Sequence, residues 1–111
     1  MNFLKVEENV LQIVDTIHHK NVWCSLDLRV KNGFYICNQY NREFILCHKK
    51  YKNNKIEWIE TFYEFGLDSG TIEINHKKIN LIDCKDKNLN IICDVYLCFD
   101  EDEIIGIKIN Y

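Results

Sequence analysis

The stretch IICDVYLCFDEDEIIGIKINY, residues 91–111, carries two alternating apolar runs around four consecutive carboxylates. Ile91, Cys93, Val95, Leu97 and Phe99 alternate with Ile92, Asp94, Tyr96, Cys98 and Asp100, and Ile105, Ile107, Ile109 and Tyr111 alternate with Gly106, Lys108 and Asn110. Side chains along a strand project to opposite faces with period two, so each run has one apolar and one mixed face. Two such runs joined by a short polar loop predict an antiparallel hairpin. Its tip would present Asp100, Glu101, Asp102 and Glu103 to solvent.

The opposite end of the chain shows a different spacing. Phe3, Val6, Val10, Ile13, Val14 and Ile17 recur at three- and four-residue steps, opposite Lys5, Glu8, Asn9, Gln12, Asp15 and Thr16. That period predicts one amphipathic helix with Asn2 as its cap and His18, His19, Lys20 and Asn21 closing it. Glu7 falls inside the apolar arc and fits it poorly. Such a helix would set Val10, Val14 and Ile17 against a sheet containing Val95, Leu97 and Ile107.

Between these ends, alternation predicts strands over 22–30, 34–37, 43–51, 71–74 and 79–82. Asn32-Gly33 predicts a tight hairpin turn, because both residues tolerate positive φ. Asn38 to Asn41, Asn53-Asn54, the run from Gly66 to Gly70, and Asn75 to Lys78 read as further turns, and 83–90 as a charged loop. Residues 56–65 are rich in β-formers, with a short helix over 57–64 as the competing assignment. The fold class expected is therefore α+β: an N-terminal amphipathic helix on a mainly antiparallel, hairpin-linked sheet, in one domain over residues 1–111.

Composition narrows function more than it assigns it. Hydrophobic residues make up 47% and charged residues 28%, which places the chain among folded globular proteins rather than disordered ones. The net charge of −3 speaks against a general nucleic-acid binder. The absence of alanine and proline, with abundant Ile, Lys and Asn, is what an AT-rich coding sequence produces. No basic segment leads into an apolar run at the start, and no window reaches the roughly 18 apolar residues of a membrane span, so a cytoplasmic protein is expected. In that reducing compartment Cys24, Cys37, Cys47, Cys84, Cys93 and Cys98, none in a Cys-x-x-Cys pair, read as small buried apolar side chains.

Catalytic patterns are missing. His18 and His19 are adjacent and would not share a helix face, and Cys47 and His48 would point to opposite faces of a strand. The carboxylate pairs Glu57/Glu64 and Asp68/Asp94 are available for acid–base work, but a chain with 17 acids always offers some pairing. There is no phosphate-binding Gly-rich loop and no Gly-x-Ser-x-Gly elbow. A pocket lined by His48 or His76 with converging acids would mark an enzyme. The lysines at 49, 50, 52 and 55 lack the stacking aromatics of a nucleic-acid site.

Small size, cytosolic chemistry, acidic balance, the missing catalytic motifs and the AT-rich, bacterial-looking composition together resemble the immunity proteins of bacterial toxin–immunity systems of the contact-dependent growth inhibition type. That resemblance is one of type over the whole chain. It implies a non-catalytic, cofactor-free inhibitor that binds a basic toxin domain, a nuclease, and occludes its active-site cleft, with carboxylates in place of substrate phosphates. The partner-binding residues would be Asp100, Glu101, Asp102 and Glu103, joined by Asp68 and Glu64. No direct contact with nucleic acid or membrane is implied. The alternatives are a binding or structural module for an unrelated partner, and a small enzyme.

Overall fold

The computed structural model describes residues 2–16, 25–52, 56–82 and 91–111. Among the described residues ten strands follow one another: β1 (Asn2–Val6), β2 (Val10–Asp15), β3 (Ser25–Arg29), β4 (Gly33–Tyr40), β5 (Glu43–His48), β6 (Ile59–Leu67), β7 (Thr71–Ile74), β8 (Lys77–Asn80), β9 (Ile91–Asp100) and β10 (Glu103–Asn110). A 3-10 turn (Lys49–Tyr51) follows β5. The strands form a six-stranded sheet ordered β1-β4-β5-β10-β9-β6 and a four-stranded sheet ordered β3-β2-β7-β8, with antiparallel pairing throughout both.

The expected N-terminal helix is replaced by β1 and β2, and the fold is a β-sheet domain rather than α+β. β1 pairs with β4 in the larger sheet, and β2 pairs with β3 and β7 in the smaller one. The chain changes sheets through Glu7, Glu8 and Asn9, with Asn9 at φ 58°. Leu4 and Val6, then Leu11 and Ile13, enter the core at period two, whereas Phe3 and Val10, central to the helical arc, are 46% and 49% exposed. Branched side chains such as Val6, Val10, Ile13 and Val14 favour the extended backbone, and the awkward Glu7 belongs to the crossing. The helix's closing residues, from Ile17 to Asn21, lie outside the described residues.

Asn32-Gly33 is a sheet-to-sheet crossing rather than a hairpin turn, since β3 and β4 belong to different sheets. Two-residue hairpins with positive φ at both central positions are instead found at Asn41-Arg42 (φ 49° and 61°) and Asn75-His76 (φ 47° and 72°). Positive φ at both central positions matches the twist of the flanking strands. Residues 59–67 are strand, which settles the competing short helix. The 53–54 turn and the 83–90 loop lie outside the described residues.

One apolar cluster joins the inner faces of the two sheets, with Leu11, Ile13, Phe44, Leu46, Phe65 and Ile109 among its fully buried members. A smaller cluster on the outer face of the larger sheet gathers Tyr51, Cys98 and Ile105 under Ile56 and Trp58. Trp58 lies over Gly106, where an added Cβ would stand 3.0 Å from the indole. A bulge between Ile104 and Gly106 turns Ile105 toward that outer cluster while Ile107 and Ile109 remain inside. Among the described residues no helix is long and apolar enough to cross a membrane.

Candidate functional site: a braced acidic hairpin tip

The β9–β10 hairpin forms as expected, with Asp100 opposite Glu103 and a two-residue turn at Glu101-Asp102, but near the tip the faces depart from strict alternation: Phe99 is exposed and Cys98 and Ile105 join the outer cluster. Glu101 sits at φ 54°, a conformation that a non-glycine residue adopts at some cost. The β5 ladder on β10 reaches Gly106, and the β6 ladder on β9 reaches Leu97. Residues 99–105 therefore project past both neighbouring strands.

This projection is held from each side. The Tyr51 hydroxyl donates to Asp100 Oδ2 at 2.5 Å on the β9 side. On the β10 side, Lys31 N donates to Ile104 O at 3.0 Å, Lys31 Nζ reaches Glu103 Oε1 at 3.2 Å, and the Tyr35 hydroxyl donates to Lys31 O at 2.6 Å with Ile104 O farther off at 3.4 Å. Tyr35 and Tyr51 both meet one imidazole, His48, edge-on at centroid distances of 5.1 and 5.5 Å.

His48 fixes this arrangement through both ring nitrogens. Nε2 is 2.8 Å from the Asn32 carbonyl and must donate to it, while Nδ1 accepts from Lys50 N at 3.1 Å and so caps the turn that carries Tyr51. Gly33 is required beside it: φ is +134°, and an added Cβ would stand 2.3 Å from His48 Nε2. The Asn32-Gly33 signal thus reports a close approach to histidine. Both nitrogens are bonded to backbone, and the Cys47 thiol faces the His48 carbonyl at 3.7 Å, so Cys47 and His48 do not form a dyad.

Electrostatics follow from this geometry. The Tyr51 phenol is pushed up to about 12, first by its hydrogen bond to Asp100, then by burial and by the charges of Asp100, Glu103 and Glu101. Burial raises Tyr35 as well. Cys37, Cys47, Cys93 and Cys98 are free and buried, and burial lifts each thiol above its ordinary value, Cys93 to about 12. They are poor nucleophiles for that reason. Cys24 and Cys84 lie outside the described residues.

Of the six carboxylates expected to form the partner surface, the structure brings together Asp100, Glu101, Asp102 and Glu103. Glu64 and Asp68 stand elsewhere. Glu64 pairs with Asp94 at the other end of β9, six residues and roughly 20 Å from Asp100 at strand rise. The Asp68 main chain is fastened by the buried carboxylate of Asp15, which accepts from Asp68 N at 2.6 Å and Ser69 N at 3.1 Å. Glu64 instead joins an outward row with Asp94 and, beyond Asn110, Glu43. Asp15 was legible only as a polar residue; its burial depends on pairing across 53 residues.

A broad groove of about 580 Å³ lies near the β1–β2 crossing, lined by Glu7, Glu8, Asp27 and His76 among others. Glu7 is paired with Lys5 at 2.8 Å, and that bond, with the lysine's charge, holds the carboxyl below its ordinary value. Among the described residues no group of three or more His, Cys, Asp or Glu is arranged to hold a metal ion. No protein-family model, curated protein or solved structure matches the chain.

Proposed function

We propose that this protein is an immunity-type inhibitor that binds a basic toxin domain, a nuclease, in the cytoplasm and occludes its active-site cleft with the β9–β10 tip. The observation that carries the reading is the bracing of that tip: four carboxylates on a projecting turn, with Asp100 and Glu103 each bonded to another part of the chain. A solubilising loop has no need of such fixation. A surface that must match a cationic cleft gains from it, because ordering is already complete before association. Clustered negative charge also speeds encounter with a basic partner and disfavours acidic ones.

The test is affinity capture from the source cells using wild type and the variant D100N/E101Q/D102N/E103Q. A basic protein retained by wild type, lost by the variant and toxic when produced alone supports the reading. Capture of the same partner by both proteins moves the interface to another face. Capture of a partner that is harmless when produced alone favours a binding module of unrelated purpose.

The groove lined by His76, Glu7, Glu8 and Asp27 supports a second reading, a small enzyme. The pairing of Glu7 with Lys5 weighs against a general acid at that carboxyl, since its proton is already held weakly. Turnover of any substrate that disappears in His76→Ala would establish this reading over the first.

A further inference from the structure

Two recesses flank Phe99 at the tip, and their linings differ in charge. The recess of about 230 Å³ toward β3 is lined by Arg29 together with Asp102 and Glu103, and Glu103 is further engaged by Lys31. Its cations are already in place. The recess of about 250 Å³ on the other side is lined, among the described residues, by Tyr51, Ile56, Ile59, Cys98 and Ile105, with Glu57 and Asp100 as its charged members there. Phe99 borders both recesses and is 41% exposed, while Ile59 at the mouth is 49% exposed.

We infer that this second recess receives one arginine or lysine side chain of the partner protein, with Glu57 and Phe99 as contact residues beyond the tip itself. The inference rests on reading the tip as a docking surface. A long cationic side chain has an apolar stem and a charged head, and the recess has an apolar lining and two carboxylates. Phe99 offers a ring to the cation, and guanidinium groups favour such faces. An exposed aromatic beside an open recess with apolar side chains and a charged rim can serve as an interface anchor once a partner covers it.

The recess is fixed by distant parts of the chain. Trp58 lies over Gly106 and keeps residues 56–58 on the outer face of β10. The Glu57 main chain lies against the Cys98 thiol. Tyr51 holds Asp100 at the opposite wall. Glu57 lies more than forty positions from the carboxylate run in sequence, so only the fold makes it a neighbour of the tip.

The probe is N-acetylarginine amide, titrated into the isotope-labelled protein at low salt and followed by backbone amide shifts, with the neutral isostere N-acetylcitrulline amide as control. Saturable shifts are expected at Ile56, Glu57, Ile59, Cys98 and Ile105, and the citrulline compound should produce none. Glu57→Gln and Phe99→Ala should each weaken binding by about fivefold or more. Glu57 is exposed, so its variant retains the fold and decides the matter if Phe99→Ala does not give a dispersed spectrum. Shifts confined to Glu101 and Asp102, equal binding of the citrulline compound, or unchanged affinity in Glu57→Gln would overturn the inference. Arginine seated here in a protein that neutralises no toxin would sink the immunity reading and leave the pocket. Neutralisation without arginine seating would do the reverse.

Discussion

Tyr51 donates its hydroxyl proton to Asp100 across 49 positions of sequence, and this bond ties the 3-10 turn after β5 to the last residue of β9. The same phenol stacks edge-on against His48, whose other neighbour, Tyr35, donates to the carbonyl of Lys31, the residue whose amide bonds Ile104 on β10. Tyr51 thus holds β9 directly, Tyr35 holds β10 through Lys31, and the two tyrosines share one imidazole.

Alkaline titration should expose this grip. Tyr51 and Tyr35 ionise less readily in the folded protein than a free tyrosine, for which the ordinary value is about 10. A raised acid keeps its proton in the folded state after the unfolded chain has lost it, so the stabilisation is complete below about 10 and is lost as pH rises toward the folded values. Melting temperature should therefore fall above pH ~10, with Tyr51 titrating near 12 by phenolate absorbance. Tyr51→Phe should remove that component. If the phenol titrates at the free value in the folded protein, the bond to Asp100 is not made.

Gly33→Ala should loosen the tip although residue 33 does not touch it. A methyl group there meets His48 Nε2, and the backbone lies at positive φ, so a loss of about 1–3 kcal/mol is expected. Hydrogen exchange should accelerate at the amides of Lys31 and Lys50, bonded to Ile104 and His48 respectively. A uniform loss of protection across both sheets, with no excess at these two positions, would deny His48 its role in holding the tip.

Leu11→Ala against Val10→Ala separates the two-strand N-terminus from a helix. Leu11 is fully buried and Val10 is 49% exposed. Leu11→Ala should cost about 2–5 kcal/mol by denaturant unfolding, and Val10→Ala well under about 1 kcal/mol. Near-equal costs, or the reverse order, would reinstate the helical arrangement.

Asp15→Ala should destabilise the turn after β6. It leaves the Asp68 and Ser69 amides without their carboxylate acceptor, at a cost of about 1–3 kcal/mol, and Asp15→Asn should recover part of it. Equal stability of Asp15→Ala and wild type would show that water replaces the carboxylate there.

The β9–β10 hairpin was readable because its alternation runs unbroken for ten residues on one side of the carboxylates. The N-terminus was misread for a definable reason. Leu4 and Val6 bury at period two, Glu7-Glu8-Asn9 resets the phase, and Leu11 and Ile13 resume it in the other sheet. Two short strands offset by such a break mimic a three-and-four spacing through Val6, Val10 and Ile13. Asn32-Gly33 was recognised as a special backbone position, but its purpose depends on His48, which the sheet pairing places opposite Tyr35. Tyr51, Glu57 and Phe99 had no local signal, because each acquires its neighbours at the tip only through long-range pairing.

The most direct test of the docking surface is the association rate of wild type and D100N/E101Q/D102N/E103Q with the captured basic partner, measured from low to physiological salt. Asn and Gln keep acceptors for Tyr51 and Lys31, and exposed ion pairs contribute only about 0–1 kcal/mol, so the variant should melt close to wild type. It should associate more slowly at low ionic strength, with the difference shrinking as salt screens the steering. Equal rates at low salt would show that the braced carboxylates do not meet the partner.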